Sequence, residues 1–532
     1  MSNARAGSKI KRNVAWSVTG LAVEMAAGFL VLPFLLDKLG KSTYGIWLIL
    51  GALTSYFGLL EMGVRGSIGR HIAFHHAKGD QDATNQTLTS GIALLFGIGS
   101  VACLILIAFE QTFINLYKIT ESEHKAISIT FRIVALNLAI TLLGTAFDAA
   151  LWGVQRFDRL NLINILVSLL RLIATFTLIE SDSDIIILSI ISITASIANL
   201  LAKATLYFNA VPTARLTPRL MNRSALRQLI GYGSWHMLTT LANLSRTQFG
   251  PILIGATLGL SLVPFFSIAS RLLVTITSTL VAATGVLTPH ATTLHATNQI
   301  EHQRKLFLVG GGHAAALGMF LMGGLLAVAK PLITIWVGSK FSANEITTIA
   351  TLLSVLILGE LLPNSQQVSN SIILATARHR SLAIFAVIET ISVCILVVVL
   401  LSPFGLIGLG AAIAAPAFFL RGACPLIYGC QILNIPIRNY VTRTIAPPFF
   451  CMTVSALPIL ATRIGNSDNE WINLIANGSI YTLLFASTYT FTINRSPIQS
   501  IINRITPQER QLRPPDQTLP SQPAASETSA RK

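Results

Sequence analysis

Apolar runs of about 20 residues follow one another along nearly the whole chain, from GLAVEMAAGFLVLPFLL (20–36) to LIANGSIYTLLFASTYTF (474–491). That length carries an α-helix across the roughly 30 Å of hydrocarbon in a bilayer. A segment in lipid must satisfy its own backbone hydrogen bonds, so only helices and closed barrels qualify. Barrel strands alternate apolar and polar residues, whereas runs such as ISVCILVVVLL (391–401) are apolar on every side. The prediction is an all-α polytopic membrane protein of about fourteen transmembrane helices. Spans are placed near 15–36, 45–62, 87–109, 127–152, 160–180, 185–206, 230–254, 263–287, 306–328, 346–372, 382–401, 404–428, 445–462 and 471–493. Only 11% of residues are charged, against roughly a quarter in soluble domains, which excludes a soluble core.

The formal charge of +16 raises the question of an anionic partner, and position answers it. Arg5, Lys9, Lys11 and Arg12 precede the first span, which is too long for a signal peptide and reads as an uncleaved helix. Lys and Arg concentrate in alternate loops on the same side, so the positive-inside rule makes both termini cytoplasmic, without a nucleic-acid partner. Between spans six and seven, Arg215, Arg219, Arg223 and Arg227 recur every fourth residue, on one face of a short helix. They serve as topogenic charge against anionic headgroups or as a ligand site. Cys103, Cys394, Cys424, Cys430 and Cys451 lie in or beside apolar runs without a CxxC or metal spacing, and read as core residues. The segment from about residue 505 is rich in Pro, Gln and Ser and reads as a disordered tail.

The chain also resembles itself. LGKSTYGIWLI (39–49) after span one matches LGLSLVPFFSI (258–268) after span seven, and GVQRFDRL (153–160) matches ATARHRSL (375–382), at offsets of 219 and 222 residues. A duplication of six spans follows, with parallel repeats and substrate expected between them. The organisation is a cytoplasmic N-terminus (1–14), a six-helix bundle (15–206), a basic cytoplasmic linker (207–229), a second six-helix bundle (230–428), two further helices (445–493) and the tail (505–532).

The segment PFLLDKLGKSTYGIWLILGALTSYFGLLEMGVRGSIGRHIAFHHAKGD (33–80) resembles the oligosaccharide and O-antigen flippases, the polysaccharide transporters of the superfamily that includes multidrug and toxin extrusion transporters. The matching positions are Pro33, Leu39, Gly40, Tyr44, Gly45, Glu61, Gly63, Arg70 and Ala73. LWGVQRFDRLN (151–161), PLITIWVGSKF (331–341) and SPFGLIGLGAAI (402–413) resemble later landmarks, so the likeness runs to about residue 500. The chain departs at Gly250, where family members often carry an acid. The resemblance implies a fold like that of the multidrug exporters and a bacterial inner-membrane location. It implies a substrate with a polyprenyl chain, a pyrophosphate and a glycan, with membrane lipids as surroundings. A polysaccharide polymerase and a chain-length regulator are candidate partners. No cofactor, metal or catalytic residue is implied.

Each charge inside a span costs about 2.5–3.5 kcal/mol and should face a cavity or a partner. An anionic headgroup crossing hydrocarbon needs fixed cations, and Arg pairs bidentately with phosphate while staying charged. Arg246 and Arg271 on spans seven and eight are the first candidates, with Gln248 beside Arg246, then Arg171 and Arg132. The alternative for each arginine is an intramembrane salt bridge, or snorkelling near a span end; Arg421 pairs with Glu389 or with carbonyls. Coupling to an ion gradient needs a carboxylate or His, for which Glu24, Glu61, Glu360 and His236 are candidates. No Walker motif, GxGxxG or HExxH is present, so transport is expected to be gradient-driven or passive. A multidrug or cation antiporter is the main alternative. A membrane-embedded polysaccharide polymerase or ligase is the enzymatic one, disfavoured by short outer loops. The expected cleft lies between spans one, two, seven and eight.

Overall fold

The computed structural model describes residues 2–180, 185–230, 234–462 and 467–494, with side chains from Thr19 onward except at scattered positions that include His236 and Arg246. The tail expected at 505–532 lies outside the described residues. Every described regular element is a helix. The first half comprises α1 (Ser2–Gly58), α2 (Met62–Ala77), α3 (Gln81–Leu116), α4 (Glu121–Gly153), α5 (Phe157–Leu178) and α6 (Ile185–Ala210). A short linker helix α7 (Arg223–Ile230) follows. The second half holds α8 (Ser234–Thr257), α9 (Val263–Thr284), α10 (Leu287–Ala296), α11 (Ile300–Lys305), α12 (Gly311–Val337), α13 (Ala343–Ser365), α14 (Gln367–Ala375), α15 (His379–Pro416) and α16 (Cys424–Leu433). Beyond it lie α17 (Ile437–Tyr440), α18 (Ala446–Thr462) and α19 (Glu470–Asn494).

Among the described residues, nine helical stretches are long and apolar enough to cross a membrane, against the fourteen spans expected. The two numbers differ partly because helices run on through bends. Arg380–Leu433 holds two expected spans in one stretch, and Gly405 (φ 53, ψ −132) bends it inside α15. Gly40 (φ 70, ψ 169) divides α1 in the same way, in a backbone region open essentially to glycine alone. Val398 is 80% exposed on α15, the inside-out pattern of a helix that faces lipid.

The repeat read from sequence is written in the backbone. Gly40 has its counterpart in Gly259 (φ 107, ψ 155), 219 residues on. At the second echo, Gln155 (φ 58) and Ala377 (φ 56) both adopt the left-handed conformation. A third pair, Gly79 (φ 73) and Asn298 (φ 54), escaped the sequence comparison because AKGD and ATNQ share so little. Left-handed turns are costly for residues other than glycine, so their recurrence marks equivalent connections.

Most contact between the halves runs from α1 to α8, the Leu260–Leu262 turn and α9. It concentrates at the end that carries the turns near residues 40, 260 and 340, called here the closed end. Lys41 Nζ meets Glu345 Oε1 at 2.6 Å, and Lys340 pairs with Asp37. Trp336 donates to the Phe29 carbonyl at 2.8 Å, and Tyr117 to the Ile252 carbonyl at 3.3 Å. Gly45 lies so near Leu260 that a Cβ would stand 2.2 Å from its carbonyl oxygen. The two repeat motifs therefore pack against each other. The opposite, basic end carries the 78–80, 154–156, 211–222 and 376–378 connections. α18 and α19 pack on each other and on α12, where Tyr481 donates to the Met319 carbonyl and His313 meets Tyr489.

Candidate functional site

In the first half, α1, α4, α5 and α6 line an open cavity of about 390 Å³. Its walls pair apolar Trp47, Leu50 and Leu138 with Thr54, Ser55, Asn137, Thr141, Ser192, Glu61 and Arg171. Arg171 Nη2 donates to Ser192 Oγ at 3.1 Å, its sole hydrogen-bond partner among the described residues. Ser192 in turn donates to the Leu188 carbonyl, which fixes its lone pairs toward the guanidinium. Asn137 Oδ1 is buried without a hydrogen-bond partner among the described residues. Glu61 stands at the end of the 3₁₀ turn that joins α1 to α2, with Thr145, Arg65, Asp148 and Lys203 as its polar and charged neighbours. Lys203 and Asp148 form a buried ion pair at 2.6 Å between α6 and α4.

The second half places its arginine differently. Arg421 lies in a π-helical turn, Ala417–Ala423, which follows Pro416. The proline removes a backbone donor and the wider turn re-aims the side chain into the bundle. Nη2 meets Glu360 Oε1 at 2.6 Å, Nη1 meets Glu360 Oε2 at 3.3 Å, and Nε meets Glu389 Oε1 at 2.7 Å. Asn364 Nδ2 also donates to Glu360 Oε2 at 3.2 Å. Glu360 borders a cavity of about 320 Å³ between α8, α9, α13 and α15, with Thr247, Ser270 and Thr277 in its wall. Glu389 borders another of about 280 Å³ with Tyr56, Ser245 and Phe249. One guanidinium thus bridges two carboxylates that face separate cavities.

Arg271, on α9, crosses to the first half. Its guanidinium rests on Gly28 of α1, where a Cβ would lie 1.6 Å from Nη2. Gly20 packs against Ile165 and Phe34 against Phe176, so α1 and α5 run side by side in register. That register sets Arg171 at the depth of Gly28, and hence of Arg271. Glu24 is exposed one helical turn before Gly28.

Of the residues singled out from sequence, the structure brings Arg171 and Glu61 together in one cavity and sets Glu360 beside another. Arg132 lies apart, bound through Nε to Glu110 at 2.7 Å with Ser128 on the same carboxylate. Gln248 is half-buried on α8. The side chains of Arg246 and His236, also on α8, lie outside the described residues. Sequence reasoning missed the joining of Glu360 to the Arg421 and Glu389 pair, since 61 residues separate the two ends. The available signal was the i, i+4 placement of Glu360 and Asn364 in a Pro-broken polar stretch.

The polysaccharide biosynthesis protein family model matches residues 10–295, more than half of the chain. The chain belongs to the polysaccharide biosynthesis protein family. It is 20% identical over 409 residues to the Shigella flexneri protein named "Putative O-antigen transporter", which covers 76% of this chain and 94% of that one. The structure superimposes on the lipid II flippase MurJ in an inward closed conformation with a TM-score of 0.68, at 16% identity, covering 91% of this chain and all of MurJ. It also superimposes on an inward-facing multidrug resistance MATE family transporter with a TM-score of 0.64, at 13% identity, covering 76% and 97%. This member of the polysaccharide biosynthesis protein family is therefore a multi-pass membrane protein with a MATE- and MurJ-like transporter fold, as the ordered motifs led one to expect.

Proposed function

We propose that the protein is a flippase that carries polyprenyl-pyrophosphate-linked oligosaccharide repeat units across the bacterial inner membrane for surface polysaccharide export. The observation that carries this reading is Arg171, an intramembrane guanidinium bordering a cavity with a single hydroxyl partner among the described residues. An arginine at that depth replaces the water that a pyrophosphate leaves behind, through two parallel charge-assisted hydrogen bonds. Arg271, at the same depth against α1, supplies a second positive charge, and Asn137 and Thr141 offer hydrogen bonds to a polar headgroup. Glu61 and Glu360 are the coupling candidates, since both carboxylates border cavities within the spans. The basic end is assigned to the cytoplasm by the positive-inside rule, with both termini there. The closed end then faces outward, and the substrate enters from the cytoplasmic leaflet. No chemical step is assigned to any residue.

Deletion in the native host is expected to strand lipid-linked repeat units in the cytoplasmic leaflet and to remove surface polysaccharide; unchanged polysaccharide would reject the reading. The likeness to a multidrug resistance transporter and the carboxylates at the cavities favour cation export as the second reading. A susceptibility panel of cationic drugs in the deletion strain decides between them: hypersensitivity with intact polysaccharide selects the exporter.

A further inference from the structure

The connection between the halves, residues 211–230, lies along α3 at the basic end and is fastened there. Asn222 N donates to Ser90 Oγ at 3.0 Å, Asn222 Nδ2 to Gln86 Oε1 at 3.0 Å, and Arg215 N to Asn85 Oδ1 at 3.2 Å. Immediately below these bonds an apolar groove of about 490 Å³ opens between the connection and α3, lined by Ala93, Leu94, Gly97, Val101, Met221 and Leu226. From Ala93 to Val101 it descends about 12 Å at 1.5 Å per residue, from the level of the linker into the hydrocarbon. Val101 and Met221 are more than half exposed, and Gly97 has open space where its side chain would be.

The rim above the groove is cationic. Residues 209–230 hold Arg215, Arg219, Arg223 and Arg227 and no acid. All four arginines are exposed, and none of their guanidinium groups has a hydrogen-bond or ion-pair partner among the described residues. Arg223 lies on the turn of α7 next to Leu226, so charge and groove share one face. A basic rim over an apolar groove matches one occupant, an amphiphile with an anionic head and a hydrocarbon tail.

We propose that this groove binds an anionic phospholipid of the surrounding bilayer. Its phosphate sits among Arg219, Arg223 and Arg227, and one acyl chain lies along α3 between Leu94 and Val101. The lipid thereby pins the connection between the two halves to the membrane surface. The site is separate from the cavities proposed for transport and does not depend on that assignment.

The test is native mass spectrometry of the full chain in detergent, titrated with dioleoyl phosphatidylglycerol or dioleoyl phosphatidylcholine. The wild type is expected to retain one phosphatidylglycerol in preference to phosphatidylcholine. The triple variant Arg219→Ala, Arg223→Ala, Arg227→Ala should lose that preference, with affinity falling about fivefold per arginine. Gly97→Leu fills open space and raises helix propensity, so the fold is preserved while the tail loses its seat and retention of both lipids at this site falls. Unchanged phosphatidylglycerol binding in either variant, at wild-type thermal stability, overturns the proposal. Displacement of the bound lipid by one equivalent of undecaprenyl phosphate overturns it too, since the groove would then belong to a prenyl chain.

Discussion

The two halves share one set of turns and differ in what they do with an arginine. In the first half Arg171 borders a cavity with a serine hydroxyl as its one hydrogen-bond partner among the described residues. In the second, Arg421 is held by Glu360 and Glu389 at 2.6 and 2.7 Å. A guanidinium already engaged with two carboxylates has little left to offer an anion. One that meets a single hydroxyl among the described residues is suited to a phosphate ligand. The comparison teaches that a duplicated scaffold can keep its backbone geometry while engaging its arginines differently, one with a single hydroxyl partner among the described residues and one with two carboxylates.

Arg421→Ala should have the largest effect. It leaves two buried carboxylates without their bridge, and breaking such a pair costs about 3–5 kcal/mol, visible as lost abundance and a lowered melting temperature. Adding Glu360→Gln and Glu389→Gln to that variant should recover part of the loss, and wild-type stability in Arg421→Ala would end the holding assignment. Next comes Arg171→Ala, expected to lower transport tenfold or more while stability changes by less than about 1 kcal/mol, with Arg171→Lys retaining part of the activity. A destabilisation as large as that of Arg421→Ala would erase the contrast.

The shared scaffold is tested by Gly40→Ala and Gly259→Ala, each expected to cost about 1–3 kcal/mol from backbone strain alone, since a Cβ meets nothing at either position. A neutral result at one of them would break the equivalence. The smallest effect belongs to the closed end. Lys340 holds the Asp37 carboxyl below its ordinary range. At Glu345 burial pushes upward, but hydrogen bonds from Lys41 and Ser342 outweigh it and leave the group lowered. Carboxylates with depressed folded values stabilise contacts above their unfolded values near 4, and that contribution is lost as the pH falls through the lowered ones. Spin labels at Ser42 and Ser339 should therefore report separation of the halves only under acid, and closure that persists to pH 2 would assign the closed end to packing alone.

The helical class, the repeat and the turn at Gly40 were legible because each is a local property: apolar length, an echoed motif, a glycine where φ is positive. The ion contacts were legible only in part. That Glu24, Glu61, Glu360 and Arg171 lie inside spans follows from hydropathy, but which of them meet depends on helices tens of residues apart. Glu360, Glu389 and Arg421 come together from α13, α15 and a π-helical turn, and nothing in the spacing announces a π-turn. Arg132 shows the reverse. Its partner Glu110 is 22 residues upstream, within the α3 and α4 hairpin, and a count of charges near the span ends would have found it.

Gly28 carries one more implication. The atom that a methyl group would strike there is the tip of a flexible side chain, so the backbone can tolerate alanine if the Arg271 guanidinium swings away. Position 28 is therefore a remote handle on a charge 243 residues further along the chain. Across natural variants the two sites should drift as a couple, with a side chain larger than alanine at 28 found mainly in lineages that have surrendered the arginine at 271.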